Sequence, residues 1–277
     1  MAKIGERVQL KILREIPSGL YLDGGELGEV LLPHREVPHG NVIGAMLEVF
    51  LYTDSEDRPV ATMQAPKAMP GQLAKLKCID VNGFGAFLDW GMPKDLLVPF
   101  REQRTRMTPG HSYLVYLYVD EVSGRIAASS RISRFLDREP HSYRSGDEVS
   151  LTVISRTPLG YQVAIDGTHS GLVFADRVFQ PLQPGEVLPG WIARVRDDGK
   201  LDLALQPPGR ARVDSLEETI LAELRARGGF WALSDRSSAA EIHAELGISK
   251  RAFKEALGAL FKKRLILIEE RGIRLSP

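Results

Sequence analysis

The feature that most constrains this 277-residue chain is an internal repeat of about 70 residues that occurs three times. Each copy opens with glycine and an alternating strand, and a glycine turn then leads into a second strand. A short apolar strand follows, then a glycine-led strand, a polar turn and a last strand. The closing turns SEDR, EVSGR and RDDGK are good hairpin connections. A unit of this length is too long for a solenoid, so the pattern predicts tandem independent domains.

Each repeat has five short strands, and such a sheet cannot cover both of its faces while it stays open. Closure into a small barrel solves this problem, and five strands in this arrangement are typical of the OB fold. Prolines punctuate the boundaries between the copies at Pro66, Pro140 and the segment 207–209. The predicted domains are therefore three tandem five-stranded OB-fold barrels at 1–66, 67–138 and 139–209.

The composition changes after residue 209. VDSLEETILAELRARGG predicts an amphipathic helix, and SSAAEIHAELG begins with a capping box from Ser238 to Glu241. Ser249 then caps a longer helix, KRAFKEALGALFKKRL, and LILIEERGIRL predicts a two-stranded ribbon that turns at Gly272. This order is typical of a winged helix-turn-helix. The predicted fold class is mainly β, with a small α+β winged-helix domain at 210–277.

The charges are balanced, with 36 basic and 36 acidic side chains, which excludes a protein that coats nucleic acid indiscriminately. Residues 70–138 carry ten basic and seven acidic side chains, a net charge of +3, so this segment is the best candidate for attracting phosphate. A single cysteine, Cys78, fits a reducing compartment. No signal peptide or membrane-spanning run is evident, so we expect a cytoplasmic protein with no membrane partner.

The stretch VNGFGAFLDWG, residues 81–91, concentrates aromatic side chains among glycines. Strand alternation places Phe84 and Phe87 on opposite sides, and both can share a face only if Gly83 and Gly85 allow a bend. Two interpretations stay open: the rings fill the barrel, or they stack on unpaired bases. Trp90 caps the barrel end or extends the same aromatic surface.

GFGAFLDWG followed by DLLVPF resembles the S1-type RNA-binding domain, the OB-fold module of ribosomal small-subunit protein one. The signature of that family is Gly-Phe-Gly-Ala-Phe on the second strand and Leu-Val-His-Ile on the third. Three such barrels followed by a winged helix resemble the bacterial conserved virulence factor B family over essentially the whole chain. The resemblance implies RNA binding with a regulatory role.

In the second repeat the resemblance implies that Phe84 and Phe87 stack bases, while Pro99 stands at the family's histidine position and Phe100 follows it. This copy keeps the best RNA-binding signature and is expected to make the primary contact.

The other two repeats depart from the signature. The first keeps one aromatic side chain, Tyr21, and has His34 beside the histidine position. The third has Leu159 and Gln162 at the aromatic positions and Phe174 at the histidine position. We therefore expect both copies to be degenerate.

The predicted RNA-binding residues are Phe84, Phe87, Trp90, Lys94, Phe100, Arg101, Tyr21, His34 and Phe174. Further candidates for phosphate contact, on charge alone, are Lys75, Lys77, Arg104 and Arg106.

The winged helix is the basis of a rival hypothesis. Its longer helix is predicted to turn Phe253, Leu257, Leu260 and Phe261 inward. The candidate nucleic-acid contacts of this domain are Arg251, Lys254, Lys262 and Arg271. Glu255 stands among these cations and repels phosphate. Duplex DNA and protein both stay open as partners of this domain.

An enzyme is the third class considered. The six histidines show no metal-ligand spacing, and no glycine-rich phosphate loop precedes a helix. We expect no catalytic residues, no cofactor and no metal. The sequence thus predicts an RNA-binding regulatory protein that holds single-stranded RNA, in post-transcriptional or translational regulation. The alternative is a winged-helix DNA-binding transcriptional regulator.

Overall fold

The computed structural model describes residues 2–178, 180–207, 210–269 and 271–276, with the backbone alone at 210–215. The chain divides into two compact units, Met1–Arg138 and Glu139–Pro277. The first unit contains two closed β-barrels, and the second contains one closed β-barrel and a helical domain.

Each barrel has five strands. The first barrel consists of β1 (Arg7–Ile16), β2 (Gly19–Asp23), β3 (Glu29–Pro33), β4 (Met46–Thr53) and β5 (Pro59–Thr62). The second barrel consists of β6 (Leu73–Val81), β7 (Gly85–Asp89), β8 (Leu96–Pro99), β9 (Ser112–Val119) and β10 (Ile126–Ser129). The third barrel consists of β11 (Glu148–Thr157), β12 (Gly160–Ile165), β13 (His169–Phe174), β14 (Val187–Val195) and β15 (Leu201–Ala204).

The three barrels share one strand order. Around each barrel the first strand of the copy neighbours the second, then follow the third, the fifth and the fourth. The third and fifth strands pair in parallel, and the other neighbours pair antiparallel. The first strand of every copy carries a bulge at the same point, between Ile12 and Arg14, Cys78 and Asp80, or Val153 and Ser155. This kink helps a long strand to serve two neighbours in a small closed barrel.

A glycine opens the second strand of each copy for a steric reason. A Cβ atom at Gly85 would lie 2.3 Å from the carbonyl oxygen of Val98, and one at Gly160 would lie 2.1 Å from that of Val173. A side chain at either position would push the second strand away from the third. The glycines read from the sequence as turn markers therefore also permit the close approach of two backbones.

The first two barrels share an apolar core. Phe50, Tyr52 and Val60 of the first barrel belong to the same buried cluster as the core of the second barrel. The ring of Phe50 meets the ring of Trp90 edge to face, with 6.0 Å between centroids. This packing makes the two barrels one compact unit.

The C-terminal domain contains three helices and a three-stranded sheet. In chain order these elements are α1 (Arg210–Ala226), β16 (Phe230–Trp231), α2 (Ala239–Leu246), α3 (Lys250–Lys262), β17 (Ile266–Glu269) and β18 (Gly272–Leu275). The sheet order is β16-β18-β17. The capping box of α2 is present: the Ser238 amide donates to the Glu241 carboxylate at 2.7 Å, and the Glu241 amide donates to the Ser238 hydroxyl at 3.1 Å. Strand β16 was not predicted.

The predicted fold class, three five-stranded barrels followed by a winged helix, is confirmed. One prediction within it is wrong: Phe261 was placed in the inward stripe of α3, but it is 53% exposed. The buried residues of α3 are Ala252, Phe253, Ala256, Leu257 and Leu260, so the inward stripe includes the two alanines and leaves Phe261 beyond its edge. The predicted hinge residues Pro208 and Gly209 lie outside the described residues.

Candidate nucleic-acid interface

The turn before β7 controls the direction of Phe84. The side-chain oxygen of Asn82 accepts a hydrogen bond from the Phe84 amide at 2.9 Å, and the Asn82 amide donates to the carbonyl of Gly85 at 3.0 Å. Phe84 therefore belongs to a tight turn and not to the strand, so strand alternation does not govern its direction. Its side chain is 77% exposed.

Phe87 lies within β7 and follows the alternation of that strand. Its neighbours Ala86 and Leu88 are buried inside the barrel, while Phe87 is half-buried on the outer face, opposite Asp80 of β6 and Leu97 of β8. The side chain of Phe84 projects from the turn and that of Phe87 projects from the strand, and both rings lie on the same outer surface. The bend considered from the sequence is thus provided by a turn.

Both phenylalanines line a groove of about 390 Å³ on the second barrel, called here the phenylalanine groove. Its other lining residues are Tyr52, Thr53, Trp90, Lys94, Asp95, Leu96, Leu97, Pro99, Arg101, Tyr118, Asp120, Ser123, Arg125, Ile126 and Ala127. Aromatic rings, aliphatic side chains and charges of both signs thus meet in one concave surface. Such a surface can hold a flat, partly apolar ligand that carries both charge and hydroxyl groups.

The cations of the phenylalanine groove differ in how they are engaged. Arg101 is exposed over 75% of its side chain and approaches Asp120 at 3.7 Å. Arg125 pairs with Asp57 of the first barrel. Lys94 donates to the backbone oxygen of Asp54 at 2.5 Å, and burial lowers its pKa. Arg101 is therefore the cation of this groove that is most open to a phosphate.

Asp120 is the best-held carboxylate of the groove. Its Oδ1 accepts hydrogen bonds from the backbone amide and the hydroxyl of Ser123, both at 2.9 Å. These bonds, together with the charge of Arg101, hold the pKa of Asp120 below its ordinary value despite some desolvation. Asp120 is thus a fixed hydrogen-bond acceptor at the edge of the groove.

Trp90 does not fit its predicted role in stacking. It is only 3% exposed, packs against Phe50, and donates from its indole nitrogen to the backbone oxygen of Lys94 at 2.6 Å. Of the two interpretations left open from the sequence, the structural one is correct: Trp90 closes the end of the second barrel against the first. Only its edge contributes to the groove.

Phe100 lies outside the lining of the phenylalanine groove. It begins the 3-10 turn Phe100–Glu102 after β8, and the guanidinium of Arg106 lies 4.0 Å from the centre of its ring. Lys75, Lys77 and Arg104 are exposed and also lie outside this lining. Among these candidates from the sequence, none adds a ring or a cation to the groove itself.

In the first barrel, strand pairing places Tyr21 where the second barrel has Phe87. The guanidinium of Arg14 lies 4.1 Å from the centre of the Tyr21 ring and is held there by a hydrogen bond of 2.6 Å to Glu29. This ion pair occupies a face that a base would need. His34 is exposed in the 3-10 turn that follows β3.

In the third barrel, the corresponding positions carry Leu159 in the turn and Gln162 in the strand. Leu159 is 65% exposed but offers no aromatic face. Phe174 is half-buried at the end of β13, where Arg196 lies 5.7 Å from its ring and pairs with Asp202 at 2.6 Å. At these two positions the third barrel thus has no aromatic side chain.

All four candidate cations of the winged helix are exposed: Arg251, Lys254 and Lys262 on α3 and Arg271 before β18. Arg251 forms an ion pair with Glu255, one turn further along the helix, at 3.2 Å. Glu255, which was expected to weaken phosphate binding, is thus in direct contact with Arg251.

Sequence reasoning missed the residues that β9, β10 and the first barrel bring to the phenylalanine groove. Tyr118, Arg125 and Tyr52 are distant from GFGAF in the chain and reach it only when the barrel closes and the two barrels pack. The signal for Tyr118 was present, since it alternates in β9 with the buried side chains of Val115 and Leu117.

Comparison with known proteins identifies the domains. The model of the S1 domain matches residues 4–64 and 70–130, and that of the CvfB-like winged helix domain matches residues 218–275. The chain therefore contains S1 domains and a CvfB-like winged helix domain. The resemblance stated from the sequence is confirmed. The third barrel lies beyond the two S1 matches and is assigned to the OB type by its strand order.

Relatives align over most of the chain. The protein YitL of Bacillus subtilis is 27% identical over 93% of this chain and 89% of its own length. Conserved virulence factor B of Staphylococcus epidermidis is 26% identical over 94% and 91%. A solved structure of a multidomain protein with nucleic acid binding domains from Streptococcus pneumoniae is 24% identical, covers 98% of both chains and has a TM-score of 0.43.

S1 and winged helix domains are nucleic-acid-binding domains and not enzymatic ones, so nucleic-acid binding is the class of function that the comparisons support. Among the helices of the described residues, none is both long and apolar enough to cross a membrane. A search of the same residues finds no cluster of His, Cys, Asp or Glu suited to a metal ion.

Proposed function

We propose that this chain binds single-stranded RNA in the phenylalanine groove of its second barrel and acts in the cytoplasm as a post-transcriptional or translational regulator. The observation that carries the proposal is the convergence of Phe84 and Phe87 on one groove beside Arg101. A ring stacks on any base, and each such stack contributes about 1–3 kcal/mol of binding free energy. The exposed guanidinium adds a contact for the phosphate chain.

The exposure of Phe84 supports a binding role over a packing role. A phenylalanine that stays 77% exposed gains little from folding, and the Asn82 turn fixes it in that position. The groove is lined by aromatic rings, so it suits bases that are unpaired and splayed out. Bases stacked within a duplex cannot present their faces to these rings.

The carboxylates of the groove favour RNA over DNA. Asp95 and Asp120 line the groove and repel phosphate, but each carboxylate can accept a hydrogen bond from a ribose 2′-hydroxyl. Asp120 is held ionised by Ser123 and Arg101, so it is prepared for this contact. DNA lacks the hydroxyl and would meet only the repulsion.

The proposal is tested by fluorescence anisotropy with three labelled ligands of one sequence: unstructured RNA, single-stranded DNA and duplex DNA. We expect the full chain to bind RNA most tightly, single-stranded DNA more weakly and the duplex most weakly. Tightest binding of the duplex would overturn the proposal in favour of the winged-helix transcriptional regulator. Photocrosslinking with peptide mapping provides an independent readout, and crosslinks should concentrate in residues 67–138.

The DNA-binding alternative has weaker support in the structure. The helix that would enter the major groove presents Arg251, Lys254 and Lys262, but Arg251 is paired with Glu255. The second barrel, by contrast, combines rings and a cation in one concave surface. We therefore place the primary contact in the second barrel.

A further inference from the structure

We infer that the second barrel has a second RNA subsite, which continues the path of the strand beyond the phenylalanine groove; this inference rests on the proposed function. The subsite is a neighbouring groove of about 680 Å³, called here the tyrosine groove. Its aromatic lining is Tyr116, Tyr118 and Phe135, and its cations are Arg101, Arg134 and Arg138. Neither Tyr116 nor any residue of 131–138 was among the site candidates from the sequence.

The aromatic rings of Tyr116, Tyr118 and Phe135 pack together in the tyrosine groove and form a surface called here the aromatic shelf. The rings of Tyr116 and Phe135 are stacked with 4.6 Å between centroids and 17° between planes, and the ring of Tyr118 lies 5.1 Å from that of Phe135. Phe135 follows the 3-10 turn Ile132–Arg134, which is anchored by the buried Ile132. All three rings are half-buried, so the shelf is rigid and still offers aromatic surface.

Three arginines and three carboxylates line the tyrosine groove, the latter on Glu102, Asp120 and Glu121, so its net charge is balanced and the exposure of each group decides what a ligand meets. The side chain of Glu102 is only 8% exposed, and it accepts hydrogen bonds from Arg134 at 2.9 Å and from the Ser129 hydroxyl at 2.7 Å. Its charge is directed inward, while Arg134 keeps 62% of its side chain exposed. Arg138 is exposed and lies 5.4 Å from the ring of Phe135. A guanidinium in this position can pair with a phosphate or stack on a base.

The two grooves adjoin and share part of their lining. Arg101, Tyr118 and Asp120 line both of them. A strand whose bases lie on Phe84 and Phe87 therefore reaches the tyrosine groove without leaving the surface of the barrel, and Arg101 stands where its backbone would cross. OB folds bind about 4–16 nucleotides each, so a path over both grooves is within the usual range.

The test is a length series with the full chain and oligouridylates of about 4 and about 12 nucleotides, lengths at the two ends of that range. The main variant combines Phe135→Leu with Arg138→Gln. We expect it to bind the longer RNA about tenfold more weakly than the wild type, the loss of roughly one stack and one ionic contact. Binding of the shorter RNA should change by less than about twofold, because the phenylalanine groove is intact.

Two variants control for folding and for charge. Arg138→Gln alone alters only an exposed side chain, so it tests the subsite even if Phe135→Leu disturbs the fold. It should weaken binding of the longer RNA by about threefold. Lys75→Gln removes one positive charge from the same barrel outside both grooves. This variant should weaken binding of the short and the long RNA slightly and by the same factor.

Three results would overturn the inference: no loss for the longer RNA in the double variant, an equal loss for both lengths, or wild-type binding that does not tighten with length. Failure of the proposed function would look different. In that case replacing Phe84 and Phe87 by alanine would leave the affinity for the shorter RNA unchanged.

Discussion

The second and third barrels share a strand order, a bulge in the first strand and a glycine that lets two backbones touch, yet they present different surfaces. At the two positions that face outward beside that glycine, the second barrel has Phe84 and Phe87, and the third has Leu159 and Gln162. The inward residues maintain the barrel in both copies. The outward residues are free to change, because the turn keeps the first of them, and strand alternation the second, away from the core.

The first barrel shows an intermediate case. It keeps Tyr21 at the position of Phe87, but Arg14 and Glu29 cover the ring. In the second barrel the residue across the strand from the aromatic ring is Asp80, which offers no cation to cover it. An aromatic side chain on this strand is therefore not sufficient for base stacking, since its neighbours decide whether the face is available.

The largest expected effect comes from removing the aromatic pair. Replacing Phe84 and Phe87 by alanine should weaken binding of single-stranded RNA about 100-fold, because two base stacks are lost. The matched variant, Leu159→Ala with Gln162→Ala, should leave RNA affinity unchanged. Titration of both variants with one labelled RNA measures the difference, and equal losses would remove the functional distinction between the barrels.

The glycine that the two barrels share should matter in both, and more at Gly160, whose φ of 151° disfavours any side chain. Gly85→Ala and Gly160→Ala should each lower the free energy of unfolding by about 1–3 kcal/mol, because the new methyl group meets a backbone carbonyl oxygen. Gly83→Ala is the control, since a Cβ there has no neighbour within 4 Å. Denaturant unfolding checks this, and a cost at only one of the two positions would show that the barrels are built differently.

A gain of function sharpens the comparison. In a chain whose Phe84 and Phe87 are alanine, Leu159→Phe with Gln162→Phe should restore part of the lost affinity, up to about tenfold. Full recovery is not expected, because the register places Asp176 of the third barrel at the position of Arg101. Anisotropy with the same RNA measures the recovery, and none at all would mean that rings alone do not make the site.

The smallest effect concerns the acid that the first barrel places against the groove. Asp57→Asn should tighten RNA binding by about twofold, because Arg125 and Lys94 lose a competing carboxylate. Asparagine tolerates the positive φ of 65° at this position, so the turn should be kept. Asp198→Asn, in the corresponding turn of the third barrel, is the control and should have no effect. Weaker binding of Asp57→Asn would show that this acid positions the cations and does not compete for them.

Local patterns in the sequence were sufficient for the barrels and for half of the aromatic pair. Alternation correctly places Phe87 on the opposite side of β7 from Ala86 and Leu88, and the capping box correctly starts α2. The direction of Phe84 was not accessible in this way, because it depends on a turn closed by the side chain of Asn82. Alternation applies only to residues inside a strand.

Contacts between distant residues were not predictable from one sequence. Trp90 is buried because Phe50, from another repeat, packs against it. Tyr118 and Arg125 join the phenylalanine groove only through barrel closure. Phe261 escaped the stripe argument because two alanines, Ala252 and Ala256, take the inward position. In each case the deciding partner lies outside the local pattern.

The contact of Trp90 with Phe50 also determines how far the molecule can be dissected. A fragment that begins at residue 67 would expose the indole and the apolar side chains around it, and would lose Tyr52 from the wall of the groove. The first barrel, whose aromatic signature is degenerate, thus stabilises the second barrel by packing against it. The smallest piece expected to keep this groove intact is the pair of barrels, residues 2–138.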